Sequence, residues 1–506
     1  MKDIVRRASE YKFELFVSMF IFIVMFLFFT KAHPIVMFDG DDWGLVSNFR
    51  VALPKWGGWN PSKILPETMF PIYGYISAYI VTPIVGDYIN AFTVTAAIFV
   101  SFFIATYIFM VILFIENKFH LQKMPAIFLG IVFFLIHFAI LKKHYDEPNY
   151  YLFYSISLTC YFYYLIPALL NAILMLLIAQ INSLEDTLSK TDWKSISLLF
   201  LIYMSIFSNI LDTSILCIFI LVELLWQFDK KQNFSLKNVT NYLKNKWAYS
   251  AIILSWGISL LFEAYGGRAV DIRTNYSKSD FINGLSEVVT TFWSAYSNTV
   301  DIGLTIGLII FTVISVIFIW KAKSKDDENK VLWNWVIKFS ICAFIWYIYT
   351  ALISTRAGAF YLIRPDVSIG LFFYLFFILI ISFALYLKKY PRFMMVFPIL
   401  VFALCTWTLK ADKTFISSTM FNVSEYAALE FDRYMVNQLI ESDRAGNLTL
   451  TLFVPKGNDI DNWPHPLYMG DNIVRTLYSH GIILHKLKVT VVADKNLNAK
   501  YNLPVK

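Results

Sequence analysis

Apolar positions along this chain fall into long unbroken runs, and not into the one-sided stripe of a surface helix or the alternation of a half-buried strand. The first run, residues 13–30, follows Lys2, Arg6, Arg7 and Lys12 and has no small-residue cleavage site after it. It reads as a retained anchor with a cytoplasmic N-terminus. Further runs cover 91–115, 125–141, 151–181, 195–209, 211–227, 248–262, 301–320, 331–352, 367–387 and 392–409, and each is taken as one helical crossing of a bilayer. Threading these eleven spans alternately puts loops 32–90, 142–150, 263–300 and 353–366, and the tail from about 411, on the outer side. Lys230, Lys231, Lys237, Lys244 and Lys246 then face the cytoplasm, as do Lys321, Lys323, Lys325, Lys330, Lys388, Lys389 and Arg392. That is the bias expected of cytoplasmic loops.

Two stretches leave the count open. Residues 69–85 are mostly apolar but broken by Pro71, Gly74 and Pro83, and run 151–181 is broken at Pro167. If the first crosses and the second crosses twice, thirteen spans result with every later loop unchanged. Eleven is the simpler reading, with 69–85 at the outer interface and 151–181 as one long kinked helix. Beyond residue 410 long apolar runs vanish. A helical pattern over 424–441, strand-like LTLTLFV from Leu448, a second helix over 471–479 and LHKLKVTVVA from Leu484 predict a small α/β module. The expected architecture is therefore an all-α polytopic membrane domain over 1–410, N-in and C-out, followed by an outer α/β domain over 411–506.

Composition agrees: 58% of residues are hydrophobic, 18% aromatic and 16% charged, and mean hydropathy is +0.58. These values exclude a soluble globular, disordered or coiled-coil chain. The net charge of +7 is spread over loops beside spans, which argues against a nucleic-acid partner. Cys160, Cys217, Cys342 and Cys405 all sit in apolar runs and read as small buried hydrophobes. No phosphate loop, HExxH, paired CxxC or GxSxG is present, so ATP-driven transport, zinc proteolysis and serine hydrolysis have no motif to carry them.

The densest polar chemistry is Phe38-Asp39-Gly40-Asp41-Asp42-Trp43-Gly44, just after the first run. Three carboxylates in four positions repel one another, which raises a pKa or recruits a cation; a solvated acidic loop is the plainer alternative. Arg50, Lys55 and Lys63 follow, with Trp56 and Trp59 between them. Together with Trp43 these indoles are candidates for stacking on a sugar ring, or for an interfacial aromatic belt. The next outer loop offers Asp146 and Glu147, which with Asp39 are candidates for an acceptor or metal site, the alternative being a polar hinge. Arg268, Arg273, Arg356 and Arg364 lie in the last two outer loops, against the usual charge bias, and are candidates for gripping a lipid phosphate. In the tail, Asp461, His465 and Tyr468 read as an ordinary turn or as glycan contacts. Ionisable residues within the runs are sparse, with Asp212 at an outer hairpin and Glu223 and Lys338 near cytoplasmic ends.

FDGDDWGLVSNFR, followed by an aromatic, proline-bearing stretch, resembles the DD-x-x-R pattern of the phage-borne, serotype-converting O-antigen glucosyltransferases of enteric bacteria such as Shigella. The layout resembles the wider GT-C class of membrane glycosyltransferases. Arg50 stands eight residues after Asp42, farther than in that pattern. The resemblance implies a glucosyltransferase of the bacterial inner membrane with its site facing the periplasm. It implies undecaprenyl phosphate glucose as donor, an O-antigen or lipopolysaccharide acceptor, and Asp41 or Asp42 as the essential carboxylate. Chemically, such a transfer needs a base for the acceptor hydroxyl and positive groups for the leaving phosphate. An inverting displacement with Asp41 or Asp42 as base and the outer arginines on the phosphate meets both needs. The expected cofactor is none, or a divalent cation (Mg or Mn) held by Asp146 and Glu147. The competing classes are an O-antigen polymerase or ligase, and a lipid-linked sugar flippase or transporter.

Overall fold

A computed structural model describes residues 10–49, 61–141, 149–228, 235–266, 278–322, 327–408, 415–419 and 422–503. The chain is a helical polytopic membrane protein: nine helices among the described residues are long and apolar enough to cross a bilayer. Every one of the eleven predicted runs contains a helix, three of them short: Lys123–Ala139, Trp193–Ile206 and Met394–Thr406. The ninth long helix is Ile64–Val85, the proline-broken stretch. The 151–181 run is irregular to Ser157 and then forms a helix, Leu158–Gln180, with a π-helical turn at Tyr161–Leu165 just before Pro167. Pro167 lacks the N–H that would close an ordinary helical turn there, which accounts for the widened one.

Helix Pro365–Lys389 is the centre of the bundle, with 94% of its apolar window buried, whereas Ile302–Ala322 (11%) and Lys12–Ala32 (22%) are peripheral. Close approach to the centre depends on a small residue. A Cβ on Gly370 would stand 2.4 Å from the Trp346 indole nitrogen and 2.9 Å from Ile215, so three helices meet there through the missing side chain.

The bundle has two rims. One holds the end of Lys12–Ala32 and the starts of Tyr88–Phe119, Leu158–Gln180, Ile210–Gln227 and Pro365–Lys389. The other, far rim holds the opposite ends and is tied by Asn117–Gln180 (2.7 Å), Lys338–Glu223 (2.6 Å) and Lys388–Glu328 (2.8 Å). Ile64–Val85 touches the first rim at both ends: Lys63 before it pairs with Glu263 at 3.3 Å, and Tyr79 in its last turns donates to the Ser479 carbonyl at 2.9 Å. Loop 263–300 contains a further helix, Lys278–Thr299, not anticipated from the sequence. Its Tyr296 and Phe292 rings pack on Phe372 and Tyr347.

The tail folds over the first rim. Helix Glu425–Arg444 leads to strand β1 (Thr449–Pro455), helix Met469–Ser479 and strand β2 (Lys488–Asp494). The two strands pair in parallel, Leu452 opposite Val491. A parallel pair needs a crossover between its strands, and Met469–Ser479 supplies it. Its buried face, Ile473, Val474 and Leu477, completes the small core with Phe431, Met435 and Leu439.

Candidate active site

After the first helix the chain turns through Pro34 to Phe38 and enters a short helix, Gly40–Leu45. Asp39 caps it, accepting from the backbone N–H groups of Asp41 (3.1 Å) and Asp42 (3.0 Å); an acidic N-cap also favours the positive end of the helix. Asp42 is fully buried. One of its oxygens accepts from the Thr159 N–H at 2.7 Å and the Thr159 hydroxyl at 2.6 Å, and the other from the Phe38 N–H at 3.0 Å. Asp41, between them, is half-buried. The acidic motif is thus a built turn in which two carboxylates hold the backbone and the third is left nearer the surface.

The tail covers this turn. Gly40 N–H donates to the Pro464 carbonyl at 3.0 Å, Arg475 reaches the Gly44 carbonyl at 2.6 Å, and the Thr476 hydroxyl bonds the Trp43 carbonyl at 2.8 Å. A Cβ on Gly40 would lie 2.7 Å from the Pro466 ring, so only glycine allows this seating. His465 is buried edge-on between Phe38 and Phe431, both at 4.8 Å. Asp432 points into the same space, fully buried, with its carboxylate against the Trp43 side chain and within reach of Asp42. Its signal lay in the tail helix: Ala428, Phe431, Met435, Val436 and Leu439 form the buried stripe, and Asp432 interrupts it.

Burial governs the protonation of this cluster. Loss of water pushes Asp39 well above the usual carboxylate range, and the charges of Asp42 and Asp41 push the same way. Burial raises Asp42 to about 6, against the opposing hydrogen bonds from Thr159. Asp432 is raised by burial and by Asp42. Asp42 therefore changes its protonation just below neutral pH, the range in which carboxyl acid–base chemistry is useful.

Helix Leu158–Gln180 links the turn to two cavities. About 6 Å along its axis from Thr159, Tyr163 and Tyr164 line a mostly apolar cavity of about 390 Å³, with Lys63 and Glu263 also in its wall. A second cavity, about 300 Å³, is lined by Tyr150, Tyr154, Tyr296 and Arg364. Arg364 stands between the two: it lines the second, while its guanidinium lies over the rings of Tyr164 (4.2 Å) and Tyr361 (5.6 Å), which line the first. Asp366 fixes it in two-pronged geometry, through Nε at 3.0 Å and Nη2 at 2.6 Å. Three of its five N–H groups have no acceptor among the described residues. Buried Asp212 adds a second carboxylate beside the pair. Cys160 lies within Coulombic reach of Arg364, Asp366 and Asp39, so the two charged groups flank one helix turn.

Of the residues singled out by sequence, Asp39, Asp41, Asp42 and Arg364 gather at this rim. Trp43 is fully buried and both its faces are covered by protein. Among the tail residues, Tyr468 is exposed, Asp461 is exposed, and His465 is a core side chain. Arg356 closes helix Asp327–Ala357, and its side chain lies outside what is described. Arg50, Trp56, Trp59, Asp146, Glu147, Arg268 and Arg273 also lie outside the described residues. No group of three or more His, Cys, Asp or Glu stands in metal-holding geometry among the described residues. No protein-family model, curated protein or solved structure matches the chain.

Proposed function

We propose that the chain is an inverting membrane glycosyltransferase that moves a hexose, by resemblance glucose, from undecaprenyl phosphate to an O-antigen repeat at the periplasmic face of the bacterial inner membrane. The observation that carries this reading is Arg364, a buried guanidinium oriented by Asp366 and stationed between two tyrosine-bearing cavities. Both cavities are mostly apolar and each carries three tyrosines, so the larger has room for the first prenyl units of a lipid donor and the rings of the smaller suit a sugar. The free N–H groups of Arg364 would take the phosphate between them.

In the reaction the acceptor hydroxyl oxygen attacks the anomeric carbon as the bond from that carbon to the phosphate oxygen breaks. The hydroxyl proton passes to a carboxylate and undecaprenyl phosphate leaves with its charge offset by Arg364, helped by Arg268, Arg273 or Arg356. Of the two motif carboxylates we assign the base role to Asp41, because Asp42 is fully buried and already accepts three hydrogen bonds from Thr159 and Phe38, whereas Asp41 is only half-buried. A divalent cation, if used, would be recruited by Asp146 and Glu147. The eleven-span, N-in and C-out topology fits the return of Ile64–Val85 to one rim, which leaves it an interfacial segment and keeps the acidic turn and the tail on one side.

An O-antigen polymerase or ligase, also arginine-centred, is the second reading that Arg364 supports. Mass spectrometry of lipopolysaccharide from cells with and without the gene separates them. One added hexose per repeat supports the transferase, a changed chain length with unmodified repeats supports the polymerase or ligase, and unaltered lipopolysaccharide overturns both.

A further inference from the structure

The far rim carries a cavity of its own. The ends of Tyr88–Phe119, Leu158–Gln180 and Ile210–Gln227 and the starts of Trp247–Gly266 and Asp327–Ala357 enclose about 600 Å³, more than either cavity near the first rim. Its wall holds the ion pair Lys338–Glu223 at 2.6 Å, with Lys338 also over the Trp335 ring at 5.0 Å and Gln227 donating to Glu223 at 2.8 Å. Lys118 faces the same space, half-buried, and makes no ion pair or hydrogen bond among the described residues. Lys118 and Lys338 against Glu223 leave one positive charge in the wall. Just outside it Glu185 and Lys246 both lie near Tyr249, and their charges offset. Three helices end at the cavity and two begin there, so their terminal half-charges leave about half a negative charge, which the one positive side-chain charge outweighs.

A second feature says where an anion would come from. Helix Leu236–Asn245 sits beside the cavity, tied to the bundle by the Tyr242 hydroxyl on the Leu224 carbonyl (2.6 Å) and by the Tyr242 ring against Phe228 (5.1 Å). It leaves Leu236 and Leu243 exposed and carries Lys237 and Lys244, with Lys246 following it. A short amphipathic basic helix at a rim lies among lipid headgroups.

We infer that this cavity is a binding site for a phosphate group, centred on Lys118 and presented by an anionic lipid headgroup or free in the water at that rim. The site is independent of the transferase reading, since it lies at the opposite ends of the helices that carry Asp42's partner Thr159 and Arg364's neighbours.

The test uses the full chain in detergent and native mass spectrometry, titrated with phosphatidylglycerol, with phosphatidylcholine, and in a separate arm by thermal shift with inorganic phosphate against chloride at matched ionic strength. The expected result is saturable binding of one phosphatidylglycerol in preference to phosphatidylcholine. Lys118→Ala weakens it by about tenfold or more, the loss of one charge-assisted contact. Lys118→Arg retains it, and Glu223→Gln, which adds a positive charge, tightens it. The last change is a gain that misfolding cannot imitate. Stabilisation by inorganic phosphate that Lys118→Ala abolishes, without lipid preference, supports the phosphate site and assigns it to a soluble ligand. Equal binding of both lipids with no phosphate effect, or binding unchanged in Lys118→Ala and Glu223→Gln, overturns the inference.

Discussion

The Asp42 carboxylate accepts two hydrogen bonds from one residue, Thr159, through its N–H at 2.7 Å and its hydroxyl at 2.6 Å. A carboxylate from the turn after the first helix thereby caps the start of helix Leu158–Gln180, 117 positions away in sequence. Removing the hydroxyl in Thr159→Val should cost about 1.5–3 kcal/mol, the range for a buried hydrogen bond to a charged group. Thr159→Ser should recover most of it. Thermal unfolding in detergent checks both, and a Thr159→Val protein as stable as the wild type removes the tie from the account.

Asp41 and Asp42 should separate on mutation. Asp41→Asn is expected to leave stability within about 0.5 kcal/mol of wild type, as half-exposed substitutions do, and to abolish hexose transfer. Asp42→Asn places an amide NH₂ against either Phe38 N–H or the Thr159 donors, so it should lose about 1–3 kcal/mol as well as activity. Paired unfolding and transfer assays decide the matter; full activity in Asp41→Asn would remove it as the base.

Buried histidines and buried acids pull stability in opposite directions below pH 7. Burial lowers His33 and His480 to about 4 and His465 to about 3. Each is neutral when folded, so its contribution is complete above about pH 6.5 and is lost as pH falls toward 4 or 3, at up to about 1.4 kcal/mol per pH unit per group. Asp42, raised to about 6, does the reverse: its burial penalty is complete above pH 6 and is relieved as pH falls toward 4. His465→Phe, which keeps a ring between Phe38 and Phe431, should flatten the acid loss of stability between pH 6.5 and 3. A stability–pH curve for the variant that superimposes on wild type would contradict this.

Gly40→Ala should lift the tail. The new methyl would meet the Pro466 ring at 2.7 Å, and overpacking of this kind costs about 1–3 kcal/mol. The measurable outcome is faster limited proteolysis between residues 456 and 470, with the helical bundle intact. Unaltered cleavage would mean the loop yields without strain.

Arg364→Lys keeps the charge but not the fork that grips Asp366 and a phosphate together. Transfer is expected to fall about 10²-fold, the scale for losing one preorganised charge-stabilising donor, mainly in kcat. A Lys variant with near-normal kcat would place the phosphate elsewhere.

Much of this fold is written in the sequence because each apolar run satisfies its own backbone as a helix, independently of its neighbours. The tail's strands and helices are legible for a similar reason, as Leu448 and Val489 sit in runs with a local period. Lys278–Thr299 is not, since its residues are mixed in polarity and it is held by Phe372 and Tyr347 from distant helices. At the site, Asp39, Asp41 and Asp42 stand out as a cluster, but their division of labour does not. It depends on Thr159, Pro464 and Asp432, residues brought together only when the chain closes. Arg364 is visible as an oddly placed cation, whereas its station between two cavities is a property of three packed helices.

Because Gly40 is bonded to Pro464 and Trp43 to Thr476, 433 positions apart, the acidic turn is made long before the segment that covers it. A ribosome has produced more than four hundred residues, and the membrane has accepted every span, before the segment that seats the turn exists. The burial that raises Asp42 and Asp432 is therefore complete only once the tail has folded over the turn. A chain stopped short of Met469 would hold the entire bundle and still have an unfinished centre.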